Sequence, residues 1–250
     1  MKKTLLTFSV IIISALVICS CHKDHDKYDF AETSSARSFI QQYDSIDEIE
    51  FRQLETRRIS VNIKHSKMGG LWNTRIYDSL CKKHNDLSFY GKINVGKTSH
   101  VGYTAIGTDF QKIEISCNKD YNSEHPAGTL LNDIFRLISG TPYPYIKSGY
   151  KKTFNKNDPL SALYEVYGRV YLGSYYLMMY LDFKNSDLIP VFPVDKKVSE
   201  LTKEDLTLVS PYFGEFYVEK LPEAKGDYEF TIKLYGDDGK VYSGKAIMKF

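Results

Sequence analysis

Tryptophan occurs once in the 250 residues, proline eight times and cysteine four times. Enzyme signatures are scarcer still. There is no G-x-S-x-G, so the exposed serine of a nucleophile elbow has no candidate, and no H-E-x-x-H, so the paired histidines of a zinc protease are missing. Four cysteines, two of them at 19 and 21, are too few for a disulfide-built scaffold. Charge of one sign is also lacking. The formal charge is +2, and residues 1–20 hold two lysines and no acid, so without them it is 0. A neutral chain has no field to gather nucleic acid or anionic lipid. No repeat of fixed period appears, and the apolar run at 5–18 is short for a spanning helix.

What is present at the start is an export leader. Lys2 and Lys3 precede the apolar run "LLTFSVIIISALVI", the order of a signal peptide. "ICSC", residues 18–21, resembles the bacterial lipobox, in which an aliphatic residue and two small ones precede a cysteine that takes lipid and becomes the mature N-terminus. Cys21 fits; Cys19 would have bulky Val17 and Ile18 before it. An ordinary cleaved leader is the competing reading. Acyl chains on Cys21 would anchor the chain, each buried methylene contributing about 0.8 kcal/mol. Residues 1–20 are thus expected as leader, 21–43 as a lipidated flexible tether and 44–250 as the folded part, one domain or two small β subdomains. The tether is polar and aperiodic. Its His22, Asp24, His25 and Asp26 offer metal ligands with nothing to fix their geometry, so no metal is expected there. Without an aspartate after Cys21, and with charge directly behind it, the expected destination is the outer membrane, facing the cell surface.

"GKINVGKT" carries Gly91, Gly96, Lys97 and Thr98 in phosphate-loop spacing. Such a loop works because a helix starts at once behind it, aiming N–H groups and a dipole at the phosphates. Here "SHVGYTAIGTDF" follows, with two more glycines and no 3.6-residue period. Nucleotide is also scarce outside the cytoplasm. The match reads as coincidence, and neither nucleotide nor other cofactor is expected.

Twenty tyrosines and fourteen phenylalanines favour strands. "EIEF", "RRISVNIKH" and "FQKIEISC" alternate apolar with polar residues. "DYEFTIKLY", "GDDG" and "KVYSGKAIMKF" read as a hairpin. "AGTLLNDIFRLISG", opened by Thr129 and closed by Gly140, fits a short amphipathic helix. "GGLWNTRIYDSLCKKHNDLSF" is ambiguous between a short helix and an irregular connection. "LSALYEVYGRVYLGSYYLMMYLDF" fits two strands joined at Gly173-Ser174, with a helix as the alternative. The sum predicts a mostly-β fold, an immunoglobulin-like or related sandwich with one short helix.

Cys81 and Cys117 form an even pair in an exported chain, open to a disulfide or to two buried thiols. Cys117 shares a strand face with Ile113 and Ile115, which disfavours a catalytic thiol. Trp72, beside Gly69-Gly70, is the first candidate for a ligand contact, since aromatic rings stack on sugars and fill protein pockets; core packing is the competing role. The histidines at 65, 84, 100 and 125 have no ligand spacing, and Asp237 and Asp238 belong to a turn.

"IEISCNKDYNSEHPAGTLLNDIF", residues 113–135, and the terminal "GDYEFTIKLYGDDGKVYSGKAIMKF" resemble uncharacterised lipoproteins of gut Bacteroidetes, in which a strand, a "HPAG…LND" stretch and a closing hairpin recur. The resemblance covers about half of the mature chain and implies a location and a sandwich fold. It carries no activity and no catalytic residues. The functional expectation is therefore a membrane-anchored binding module for a glycan or a surface protein. A fimbrial subunit, with Arg57-Arg58 as a maturation site, is the first alternative, and a glycan-active enzyme the second.

Overall fold

The computed structural model describes residues 33–55, 57–70, 74–94, 103–155, 188–189 and 191–250. In chain order the strands are β1 (Thr33–Ala36), β2 (Ile40–Glu55), β3 (Arg58–Gly70), β4 (Gly91–Asn94), β5 (Tyr103–Ile106), β6 (Phe110–Cys117), β7 (Phe135–Thr141), β8 (Phe154–Asn155), β9 (Leu188–Ile189), β10 (Phe192–Lys197), β11 (Gly214–Val218), β12 (Asp227–Gly236) and β13 (Val241–Lys249). Helix α1 spans Thr74–Lys83 and α2 spans Tyr143–Lys147. Six strands form one sheet in the order β10-β7-β11-β3-β2-β5, and three form another, β13-β12-β6. All neighbours are antiparallel except β2 and β5. The expected mostly-β sandwich is the architecture found.

The alternating segments behave as their pattern dictates. In β12, Tyr228, Phe230, Ile232 and Leu234 are buried while their neighbours are not. These rings and branched chains meet Phe110, Phe135 and Phe216 in the main core between the sheets. The hairpin joins β12 to β13 with Tyr235 opposite Val241. A second, more aromatic cluster gathers Phe39, Ile40, Tyr43, Tyr77, Tyr103 and Ile146.

Three boundaries differ from expectation. Residues 129–140 are not a helix. A turn leads into β7, a central strand paired with both β10 and β11. The apolar set 130, 131, 134, 135, 137 and 138 suits a period of 3.6, but within it Phe135 and Leu137 also alternate with a period of two, and ladders on both edges decide for the strand. The longer of the two helices among the described residues is α1, in the ambiguous segment. Tyr77 and Cys81, four apart and buried, share its inner face. The helix ends in a Schellman arrangement, with Asn85 at φ 56, Asp86 N–H donating to Cys81 O at 2.8 Å and Asn85 N–H to Lys82 O at 3.1 Å. The fold also begins before residue 44. β1 and the start of β2 lie in the expected tether, and Phe39, Ile40 and Tyr43 are core residues, because "FIQQY" brings apolar groups directly behind the polar run. The 160–183 segment lies outside the described residues. Among those described, no helix is long and apolar enough to cross a membrane.

Candidate functional site

The "DYNSEHPAGTLLND" loop between β6 and β7 concentrates polar side chains, and nearly all of them are used internally. Asp120 Oδ1 accepts from Ala127 N–H at 2.8 Å. Asn122 Oδ1 accepts from the backbone N–H of Glu124 and His125, at 3.0 and 2.9 Å. The His125 ring lies between Asn122 Oδ1 (2.9 Å from Nδ1) and Asp133 Oδ1 (3.0 Å from Nε2). Asn132 acts as a surrogate strand residue: its Oδ1 accepts from Ile115 N–H at 3.0 Å and its Nδ2 donates to Ile113 O at 2.9 Å. This arrangement of Asn, His and Asp resembles a proton-transfer set in its residue types and is a loop brace in its bonding.

A second polar cluster lies where α1 meets the β12–β13 turn. Lys83 Nζ donates to Asp109 Oδ2 at 2.8 Å and to Asp237 Oδ2 at 2.6 Å. Asp109 Oδ1 accepts from Leu208 N–H at 3.1 Å. The backbones of Asp109 and Asp237 are tied as well, Asp237 N–H donating to Asp109 O at 2.8 Å and Asp109 N–H to Asp237 Oδ1 at 3.0 Å. Burial presses the Lys83 ammonium down, but the hydrogen bonds of Asp109 and Asp237 outweigh it and leave its pKa raised. His84 is buried, its ring stacked near Tyr43 with centroids 6.2 Å apart and its Nε2 3.6 Å from Asp109 Oδ2, beyond hydrogen-bond reach. Burial lowers its pKa against the pull of Asp109. These groups clamp the hairpin tip to the helix end.

Asp86, the residue behind α1, is fully buried. Its carboxylate accepts from Phe39 N–H and Ile40 N–H, both at 2.8 Å, and from Tyr150 Oη at 2.7 Å. Burial pushes its pKa up, opposed by these three donors. It fastens the start of β2 to the helix and leaves no carboxylate aimed at solvent.

The residues singled out in the sequence are dispersed. Cys81 and Cys117 are free and buried, the second of the two arrangements that the sequence left open. Cys81 points from α1 into the aromatic cluster, whereas Cys117 ends β6 in the main core. Burial pushes both thiols above their ordinary pKa, as for inert core cysteines. Trp72 lies outside the described residues, as do Cys21, Gly96, Lys97 and Thr98. Gly91 opens β4, which pairs antiparallel with β1, and the chain is in a strand again from Tyr103. Arg57-Arg58 sits at the turn between β2 and β3, Arg57 O accepting from Val218 N–H at 2.8 Å. Among the described residues no group of three His, Cys, Asp or Glu side chains is placed to hold a metal.

Open chemistry is found elsewhere, where the two sheets meet. A groove of about 660 Å³ runs between Asp47–Arg52 of β2 and Tyr242–Lys245 of β13. The walls approach closely at its floor: a Cβ on Gly244 would lie 2.6 Å from Phe51 Cδ2 and 3.4 Å from Ile49 O. Tyr242 Oη donates to Asp238 Oδ2 at 2.8 Å, and burial with that bond pushes its pKa up to about 12. On the β2 side Lys64 bridges Glu48 and Glu50, at 2.9 and 2.6 Å, and Ser66 Oγ donates to Asp47. Both walls are strand edges. β13 is last in its sheet, and β5 covers β2 only over Ile40–Asp44. No sequence signal marks this site, since it is made by two strands far apart in the chain, one edge of each left, among the described residues, without a neighbour. No family model, curated protein or solved structure matches this chain.

Proposed function

We propose that this protein is a lipid-anchored binding module of the bacterial envelope, held by Cys21 in the outer membrane and facing the cell surface, with the groove between β2 and β13 as its ligand seat. The groove is the observation that carries this reading. It is open to solvent and lined by an aromatic floor and charged rims, whereas the other polar clusters described above are consumed by the fold. Binding needs such a concave surface with a few convergent polar groups. The anchor rests on the lipobox alone: Cys21→Ser is expected to abolish labelling by a palmitate analogue and release the chain from membranes, while Cys19→Ser leaves both intact. The seat is tested by placing a photo-crosslinking residue at Ser243 in cells. A discrete adduct is expected there and none from Lys112, exposed on β6 at the far edge of the same sheet. Adducts from neither position would refute the seat.

The fimbrial reading has one observation of its own. Arg57-Arg58 lies at the β2–β3 turn, so cleavage there would cut the link between β2 and β3, and departure of the β2 fragment would leave a strand-shaped gap beside β3 for a strand of another subunit. This reading expects an SDS-resistant ladder that vanishes when both arginines are replaced by alanine. A ladder that survives the double substitution would exclude this route of maturation.

A further inference from the structure

The parity of the terminal hairpin settles which main-chain groups β13 leaves open. Gly226 and Phe250 exchange both hydrogen bonds, each at 3.0 Å. Alternate pairs of an antiparallel ladder are bonded, so Tyr242, Gly244, Ala246 and Met248 spend their N–H and C=O on β12. Val241, Ser243, Lys245, Ile247 and Lys249 direct theirs to the other side, where among the described residues no strand pairs with them. The same five side chains point to solvent, Val241 at 50% and Ile247 at 60% exposure. The edge therefore offers a row of donors and acceptors with apolar and cationic side chains beside it. Sheet edges of this kind template another strand.

Resting on the reading of the groove as ligand seat, we propose that its occupant is an extended strand of a different polypeptide, antiparallel to β13, that passes through the groove at Tyr242–Lys245 and continues along the edge beyond it, with carboxylates opposite Lys245 and Lys249 and apolar residues opposite Val241 and Ile247. Cross-strand neighbours of opposite charge attract and like charges repel. A second copy docking β13 to β13 about Lys245 would set that lysine against its own equivalent and Val241 against Lys249, so the lysines select against self-pairing as well as for an acid. Lys245 already meets Glu229 of β12 at 2.7 Å, an exposed pair with side chains 63% and 34% open, which an incoming carboxylate can share. Across the groove, Glu48 and Glu50 are held by Lys64 and Asp47 by Ser66, so the opposite wall does not present three free acids to it.

The test uses the full lipidated chain in detergent micelles and a labelled nine-residue peptide, Glu-Thr-Val-Thr-Glu-Thr-Thr-Thr-Val, matched to the length of β13. It is expected to bind at least about tenfold tighter than its Lys-for-Glu counterpart, that is by about 1.4 kcal/mol. N-methylation of the residues opposite Lys245 and Ile247 should abolish binding, since it removes only the edge-directed N–H groups. The amides of Ser243, Lys245 and Ile247 should exchange fast in the free protein and slowly in the complex, while Gly244, Ala246 and Met248 are slow in both. Lys245→Glu with Lys249→Glu should invert the peptide preference. Ile247→Pro, which removes an N–H that β12 does not use, should block binding with the melting temperature kept. Equal binding of both peptides, indifference to N-methylation, or protection elsewhere would overturn the strand. If Ser243 still captures a ligand in cells while the peptide shows none of this, the occupant is wrong and the seat stands; if neither is seen, both fall.

Discussion

Gly214 is the position where a single methyl group should do most damage. It opens β11, which is inserted between β3 and β7, with Gly214 opposite Val61. Its φ of +131° lies in a region that side chains rarely enter, and a Cβ would sit 2.2 Å from Ile138 O and 3.2 Å from Ser139 Cα. Both obstacles are backbone. They belong to β7, which is hydrogen-bonded to β10 on one side and β11 on the other, so it has nowhere to retreat. Two costs add for Gly214→Ala: about 1–3 kcal/mol for the backbone conformation and about 1–3 kcal/mol for overpacking. A loss of about 2–6 kcal/mol is a large share of the ~5–15 kcal/mol of a whole domain. Gly239→Ala is the matched control, with φ +79° and nothing within 4 Å of the added methyl; it should cost only about 1–2 kcal/mol. Thermal unfolding of the two variants beside the parent measures the difference, at about 2–4 °C in melting temperature per kcal/mol for a chain of this size. If Gly214→Ala lost no more than Gly239→Ala, the packing of β11 against β7 would be wrong.

His84 gives a pH signature. Its pKa is held below the ordinary value of about 6.5, so as pH falls through that value the unfolded chain takes a proton that the folded imidazole, facing Asp109, Lys83, Asp237 and Tyr43, refuses. Stability should be full above that value and decline as pH falls towards the folded pKa, and His84→Gln should flatten the decline in denaturant midpoints measured from pH 7.5 to 5. Asn132→Asp leaves Ile113 O without its donor and should cost about 1–3 kcal/mol in the same unfolding assay, with Asn132→Ala no better. Alkylation of the unfolded, unreduced chain should modify both Cys81 and Cys117 in the intact mass, where a bridged pair would modify neither.

Legibility followed the range of the interactions. The terminal hairpin was readable because its signal is local: the alternation in 228–234 and the turn at 236–239 suffice. Residues 129–140 misled because the apolar set from 130 to 138 fits a helical face while Phe135 and Leu137 within it also fit a strand, and the deciding partners, β10 and β11, are about 60–80 residues further on. The tail of α1 shows the same limit in its chemistry. "CKKHND" looks like a solvated helix end, yet it supplies Cys81 and Asp86 to the aromatic cluster and Lys83 and His84 to the clamp. Their partners at 39–40, 109, 150 and 237 are distant in sequence. The "HPAG…LND" stretch was legible as a motif but not as a brace, because spacing alone does not separate Asn, His and Asp that bond to each other from the same residues turned toward a substrate.

The groove was illegible for a further reason: its defining property is an unmade interaction. Side-chain alternation in β13 shows which residues face the core, and this follows from the sequence. Main-chain direction has the same period of two, so its phase is set once one bonded pair is known, and the mutual bonds of Gly226 and Phe250 fix it for the whole strand. The two phases coincide in β13. Every residue that presents its side chain to solvent also presents its N–H and C=O to the open edge, and every inward residue is bonded to β12. A strand docking there would meet main-chain groups and outward side chains at the same five positions, so one register satisfies both. A slip by one residue would set its bonding groups against residues that are already paired and turn its side chains to the wrong face. Slipping by two restores the bonds but sets the apolar residue meant for Ile247 against Lys245 or Lys249. Selectivity for a strand docked at this edge would thus have two levels, with hydrogen bonds fixing parity and the two lysines fixing which of the allowed registers is kept.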